Sequence, residues 1–146
     1  MQSFIGTKRI HAKPMDRADY NEFRGWELPA DECGSDAGML VEYTDGGKAN
    51  TDSYTGYVSW SPLDVFNLAY TETNGMTFSE ALSAIKLGES VALPFWGADV
   101  FISLQTPTEL SKMTASYLFV TSRYGLVPWN PTQVELLANN WQVVDK

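Results

Sequence analysis

A polar break followed at once by a helix start governs what this chain can fold into. Thr71-Glu72-Thr73-Asn74-Gly75 has no large apolar side chain and ends in glycine, so it reads as a linker. Thr77-Phe78-Ser79-Glu80 then has the spacing of a capping box, in which threonine and glutamate satisfy each other's backbone N–H groups. Phe78, Ala81, Leu82 and Ile85 follow at the i, i+3, i+4, i+7 positions of an amphipathic helix. Gly88 offers a left-handed stop, with Lys86 in the last turn. The spacing predicts a helix over 78–87. The 146 residues are therefore expected to form two small α+β domains, residues 1–73 and 75–146.

Beyond that helix the second half reads as sheet. Ser90-Val91-Ala92-Leu93 is a short strand stopped by Pro94, and Asp99 to Leu104 is a second. Tyr117 to Thr121 is β-rich, and Arg123-Tyr124-Gly125 turns it into Leu126-Val127. Thr132-Gln133-Val134-Glu135 repeats the capping-box spacing, and Val134, Leu137, Ala138 and Trp141 form a second helical stripe. Val143-Val144 is a last short strand. The expected C-terminal fold is a helix packed on an antiparallel sheet with a short helix near the end.

The first half orders its elements differently. Phe4 to Ala12 is strand-like, and Asp16 can cap a short helix carrying Tyr20 and Phe23 and closed by Gly25. Met39 to Tyr43 and Tyr57 to Trp60 read as paired strands around a polar loop. Ser61-Pro62 then starts a helix, serine as cap and proline at the first helical position, with Leu63, Phe66 and Tyr70 on one face. Domains of this size bury little surface, so oligomerisation or docking of the halves is expected.

Charge and chemistry exclude several classes. The net charge is −8, and residues 1–74 hold 12 acids and 6 bases against 6 and 4 in residues 75–146. Such a chain offers no basic footprint for duplex DNA. Its acids are scattered, which suits a solvated surface better than a mimic of DNA. One cysteine, Cys33, forms no internal disulfide, and one histidine, His11, leaves no Cys/His zinc site. Asp31, Glu32 and Asp36 around Cys33 work against a reactive thiolate. No phosphate loop, dinucleotide fingerprint or nucleophile elbow occurs. The expectation is a binding protein with no catalytic residue, metal or cofactor. No apolar stretch is long enough to cross a membrane, and the first residues lack the layout of a signal peptide, so a cytosolic protein is expected.

The aromatics point to what is bound. Trp96 lies in Pro94-Phe95-Trp96-Gly97 and Trp129 in Pro128-Trp129-Asn130-Pro131, both in turns, whereas Trp141 falls on the terminal stripe and is expected in the core. Flat aromatics on turns stack on bases, worth about 1–3 kcal/mol each; they also serve simply to plug the end of a small sheet. Asn130, Thr132 and Gln133 beside Trp129 are short polar groups suited to base edges or ribose.

Two segments carry a family resemblance. Met76 through Ala92, then Trp96-Gly97, and Val127 through Trp141 resemble in order and spacing the phage Thoeris anti-defence proteins of the second type, which are cyclic-nucleotide sponges. The resemblance covers nearly all of residues 75–146. It implies a small α+β fold assembled as a homotetramer that holds a cyclic nucleotide signal, glycocyclic ADP-ribose or a cyclic oligonucleotide, between subunits without cleaving it. Carried over by position, Trp96 and Trp129 stack on bases, Thr132 and Gln133 stand at the family's Ser-Gln, and Glu135 stands at its aspartate. Phe95, Tyr117, Arg123 and Asn130 complete the expected ligand-binding set, with phosphates met by N–H groups near Thr132 and by Arg123 or Lys112. The usual Arg before the first tryptophan is replaced by Leu93-Pro94-Phe95, Gly97 stands where an Asn is usual, and Asn140 replaces an acid. Arg24 through Glu32 and Gly56 through Pro62 resemble a phage module that often precedes this domain. The competing reading is an acidic inhibitor that binds a host defence enzyme through its N-terminal half; a cyclic-nucleotide hydrolase is weaker, for want of a base or metal site.

Overall fold

A computed structural model describes residues 1–145. The chain divides into two compact α+β units, with the division between Tyr70 and Thr71. In the first, β1 (Ile10–Pro14), β2 (Gly38–Tyr43) and β3 (Tyr57–Pro62) form an antiparallel sheet in chain order. The strand signal of the N-terminus begins later than the sequence suggests: Phe4 and Ile5 are fully exposed and lie outside β1. Helix α1 (Arg17–Arg24) starts where the Asp16 carboxylate accepts the Asp19 N–H at 2.8 Å, and it ends at Gly25 with φ +68°. Tyr20 from α1 packs with Leu40 and Val58 to form a small core, flanked by Phe23, Tyr54 and Trp60. Helix α2 (Leu63–Ala69) has Pro62 itself at the N-cap and no side-chain cap; Ser61 remains in β3. In place of a cap, the Leu63 N–H donates to the Ala37 carbonyl at 3.0 Å and the Val65 N–H to the Asp64 carboxylate at 2.9 Å.

The second unit is a five-stranded antiparallel sheet in the order β7-β6-β5-β4-β8 with α3 (Phe78–Lys86) against it. The capping box forms: the Glu80 carboxylate accepts the Thr77 backbone N–H and hydroxyl, both at 2.8 Å. Ala81 and Ile85 are the buried positions of the helix, as the stripe requires, and Gly88 has φ +97°. They pack with Val91, Leu93, Ile102 and Trp141 into the main core. The strands are β4 (Ser90–Ala92), β5 (Phe101–Gln105), β6 (Tyr117–Ser122), β7 (Gly125–Pro128) and β8 (Gln142–Val144). Ser90 and Ser103, both buried, satisfy each other through hydroxyls 2.6 Å apart.

The last helix is where local pattern misleads. α4 is only Gln133–Leu136, one turn, although its capping box is present. Val134 and Leu137 are 74% and 81% exposed, so the apparent stripe faces water. Trp141 is fully buried, but it reaches the core as an isolated bridge to Met76 rather than on a helix. The Met76 and Trp141 backbones exchange two hydrogen bonds of 2.9 Å, and Val143 donates to the Thr73 carbonyl at 2.8 Å. These bonds tie the entry of the unit to its exit. They also draw Thr73, read from sequence as linker, into the second unit.

Candidate functional site

The turn tryptophans come together. Trp96 follows β4 in a turn closed by its own N–H to the Leu93 carbonyl, and Trp129 extends β7 by donating its N–H to the Leu118 carbonyl, each at 2.9 Å. Their ring centroids are 6.4 Å apart at 70°. Trp141 lies beneath both, edge-on, with centroids 5.3 Å from Trp96 and 5.8 Å from Trp129. Phe78, the first residue of α3, touches Trp129 and Trp141 at 5.6 and 5.5 Å. Edge-to-face packing of this kind adds about 0.5–1.5 kcal/mol per pair beyond burial.

Sequence order hides this cluster, since it draws on a helix start, two turns and a bridge. Trp96 and Trp129 are half-buried and packed against the core cluster, so part of each ring plugs the end of the sheet. The remainder faces solvent beside Phe95, which is 65% exposed. The two rings stand at a steep angle and form no parallel slot.

The polar residues divide into committed and available groups. The Glu135 carboxylate accepts the Thr132 N–H at 2.7 Å and its hydroxyl at 3.1 Å, while that hydroxyl accepts the Glu135 N–H at 3.2 Å. Both side chains are thus occupied in capping α4, and the Thr132 N–H is already taken. The Glu135 carbonyl accepts the Trp141 indole N–H at 3.0 Å, so the cap and the aromatic cluster support each other. Asn130 and Gln133 are exposed on either side of the cap.

The β6–β7 hairpin separates the rest. Ser122 pairs with Gly125 at its closed end, and Phe119 pairs with Pro128 at its open end. Tyr117, Trp129 and Asn130 therefore leave the open end together, whereas Arg123 sits in the turn at the closed end. There its guanidinium lies 3.3 Å from the Asp99 carboxylate, which also accepts the Arg123 N–H at 3.2 Å. Lys112 is exposed in the loop before β6.

Two concavities of the molecule lie in the other unit. One, of about 620 Å³, is lined by Arg17, Trp60 and three carboxylates; Arg17 is held by a double hydrogen bond to Glu32. The other, of about 520 Å³, is walled by tyrosines. Sequence reasoning missed both, because their walls come from positions with no common spacing. His11 is exposed and 3.6 Å from Glu42, and the Cys33 thiol lies 3.1 Å from the Ser35 hydroxyl. Among the described residues no cluster of three His, Cys, Asp or Glu is placed to hold a metal ion, and no helix is long and apolar enough to cross a membrane.

Comparison with known proteins bears on the second unit alone. No curated protein matches the chain significantly. Residues 76–144 match the family model described as Tad2-like, the Thoeris anti-defense 2-like domain. The matched span begins at the Met76 bridge and ends with β8, so it takes in the whole sheet, the aromatic cluster and both capping boxes. The match supports a Thoeris anti-defence role. The C-terminal unit of this chain is a Tad2-like domain.

Proposed function

We propose that the chain is a phage anti-defence protein that captures a cyclic nucleotide immune signal and holds it without breaking a bond. The observation that carries this reading is the convergence of Trp96 and Trp129 on one partly exposed aromatic patch within the Tad2-like domain. Phe95 and Asn130 are the exposed chain neighbours of the two tryptophans, Gln133 is exposed in the adjoining cap, and Tyr117 lies at the same open end of the hairpin as Trp129. Indole faces stack on purines, and exposed amides read base edges or ribose hydroxyls. The nearby carboxylates are engaged structurally, Glu135 in a cap and Asp99 with Arg123, which favours a binder over a hydrolase. Thr132 and Glu135 act by holding the α4 turn in place rather than by touching the ligand. Arg123, in the hairpin turn, is paired with Asp99 and would meet a phosphate from that pair.

A shallow patch does not by itself exclude water from a ligand, so the proposed assembly is a homo-oligomer, a homotetramer by family resemblance. The apolar edge strand β7 supports that reading: Leu126 and Val127 point to opposite faces and are 65% and 56% exposed. An apolar edge strand of this kind pairs readily with another chain.

The test is capture and release. Purified protein is incubated with glycocyclic ADP-ribose or cyclic oligonucleotides, separated from free ligand, heated, and the released compound identified by mass. Intact ligand at a fixed ratio per subunit is expected; a cleaved product would make the protein an enzyme. Trp129→Phe removes the indole, keeps an apolar ring in the cluster, and should weaken capture about tenfold. Unchanged binding in that variant would sink the stacking model. Binding by a variant altered only in the N-terminal unit, lost while Trp129→Phe binds normally, would favour the acidic-inhibitor reading.

A further inference from the structure

We propose that the N-terminal unit carries a small-molecule site of its own, the cavity walled by Tyr43, Tyr57 and Tyr70, which takes an uncharged flat ring bearing hydroxyl or amino groups, the chemistry of a nucleoside. Strand alternation builds it. Tyr43 of β2 faces Tyr57 of β3 across the pair, and Ser59, two residues on, projects from the same side. The opposite side of the sheet is filled by Leu40, Val58 and the α1 core. On this side Tyr70, which follows α2 directly, closes the wall, and Gly46-Gly47 of the β2–β3 loop forms the rim. The concavity, about 520 Å³, is wide open to solvent and offers one face to a small ring system rather than enclosing it.

Three features set the ligand class. First, a stacking face is open. The Tyr43 and Tyr57 rings have centroids 6.3 Å apart and are tilted by 45°, and Tyr57 is 46% exposed. Second, the one charged residue of the lining, Lys8, is paired with Asp45 just outside it. The Lys8 ammonium lies over the Tyr43 ring at 4.9 Å and 3.2 Å from the Asp45 carboxylate, so the single cation of the wall is already balanced. A phosphate at Lys8 would stand against Asp45. Third, hydroxyls converge. Ser59 donates to the Tyr43 hydroxyl at 3.4 Å, and the Tyr70 phenol, pushed up by burial first and then by Tyr43 and Asp45, hydrogen-bonds Tyr43. A ring bearing hydroxyl or amino groups can join that network, which a purely apolar ring cannot. At the rim, Gly46 and Gly47 have φ of +115° and +102°, a conformation that side chains resist, and they bring bare backbone to the mouth.

The test uses the full chain and adenosine as the probe, followed by backbone amide NMR. Saturable shifts centred on Gly46, Gly47 and Ser59 are expected, with adenosine monophosphate binding more weakly. Tyr57→Ala should weaken adenosine about tenfold, while Trp129→Phe leaves it unchanged, which separates this site from the one in the Tad2-like domain. Asp45→Asn, outside the core, leaves Lys8 unbalanced and should turn the preference toward the monophosphate about tenfold. That variant decides the matter should Tyr57→Ala fail to fold. Absence of saturable shifts, shifts centred on Trp96 and Trp129, or no reversal with Asp45→Asn would overturn the proposal.

Discussion

The two units are of similar length and both pair helices with an antiparallel sheet, yet they place their large aromatics in opposite ways. The Tad2-like unit gathers Trp96, Trp129 and Phe78 around the buried Trp141, against its main core. The N-terminal unit spreads its rings around a smaller core of Tyr20, Leu40 and Val58, and cavities open between them. One arrangement concentrates stability and the proposed recognition at a single cluster, so that reading does not let them vary independently. The other keeps the core apart from its concave surfaces, so a surface residue there can change with little effect on folding.

The sharpest way to break the contrast is Trp141→Ala. Truncating a fully buried aromatic costs about 3–5 kcal/mol, and here it also removes the support under Trp96 and Trp129. Hydrogen exchange should show protection lost across β4, β5 and β8, and capture of the nucleotide signal should vanish with it. Persistent protection in β4 would mean that the aromatic cluster is not the keystone of the unit.

The corresponding lesion in the N-terminal unit is Gly38→Ala. A Cβ at Gly38 would come within 2.3 Å of the Trp60 ring, whose indole N–H is fixed to the Met15 carbonyl at 2.8 Å. Overpacking of this kind costs about 1–3 kcal/mol. Denaturant unfolding should show that loss, with nucleotide capture by the other unit retained.

A smaller effect separates support from contact. Thr132→Ala removes an N-cap and should cost about 1 kcal/mol. Because Thr132 is committed to Glu135, capture should fall in proportion to lost stability and recover at lower temperature. A deficit that persists in the fully folded protein would place the hydroxyl on the ligand.

The smallest effect is pH dependence. For Glu80, burial raises the carboxyl, but hydrogen bonds from Thr71 and Thr77 outweigh it and hold the group below its usual range. Glu42 is lowered chiefly by the Gly56 N–H, at 3.0 Å, with help from Thr55 and His11. Both pKa values are depressed in the folded state. Each contribution is therefore present above the unfolded carboxylate value, about 4.3, and is lost as pH falls through the folded value. Unfolding midpoints measured from pH 7 down to 3 should fall slightly less in Glu80→Gln than in the parent, and the same should hold for Glu42→Gln. A midpoint that falls equally in parent and variant would show that the carboxylate contributes nothing to acid sensitivity.

How much of this was legible before folding depends on how local each signal was. The Thr77 box, the Asp16 cap, the Gly25 and Gly88 stops and the β6–β7 turn were read correctly because each is fixed within a few residues. The same logic failed at α4. Its cap is real, but Val134 and Leu137 of the following stripe face water, and Trp141 reaches the core through a bridge to Met76. At Pro62 the cap shifted because Ser61 is held in the β3 ladder opposite Met39. Among the site residues, turn placement singled out Trp96 and Trp129, but not that Trp141 lies under both or that the hairpin separates Arg123 from Trp129.

The sequence by itself determined the α+β class, the helix starts and stops set by caps, and the motifs that mark residues 76–144 as Tad2-like. Tertiary structure alone decided which tryptophans share a cluster, which polar groups are spent on caps, and where cavities open. The reason is physical. Caps and turns are settled by hydrogen bonds a few residues apart, whereas clusters and cavities depend on side chains brought together by strand order, which no local spacing encodes.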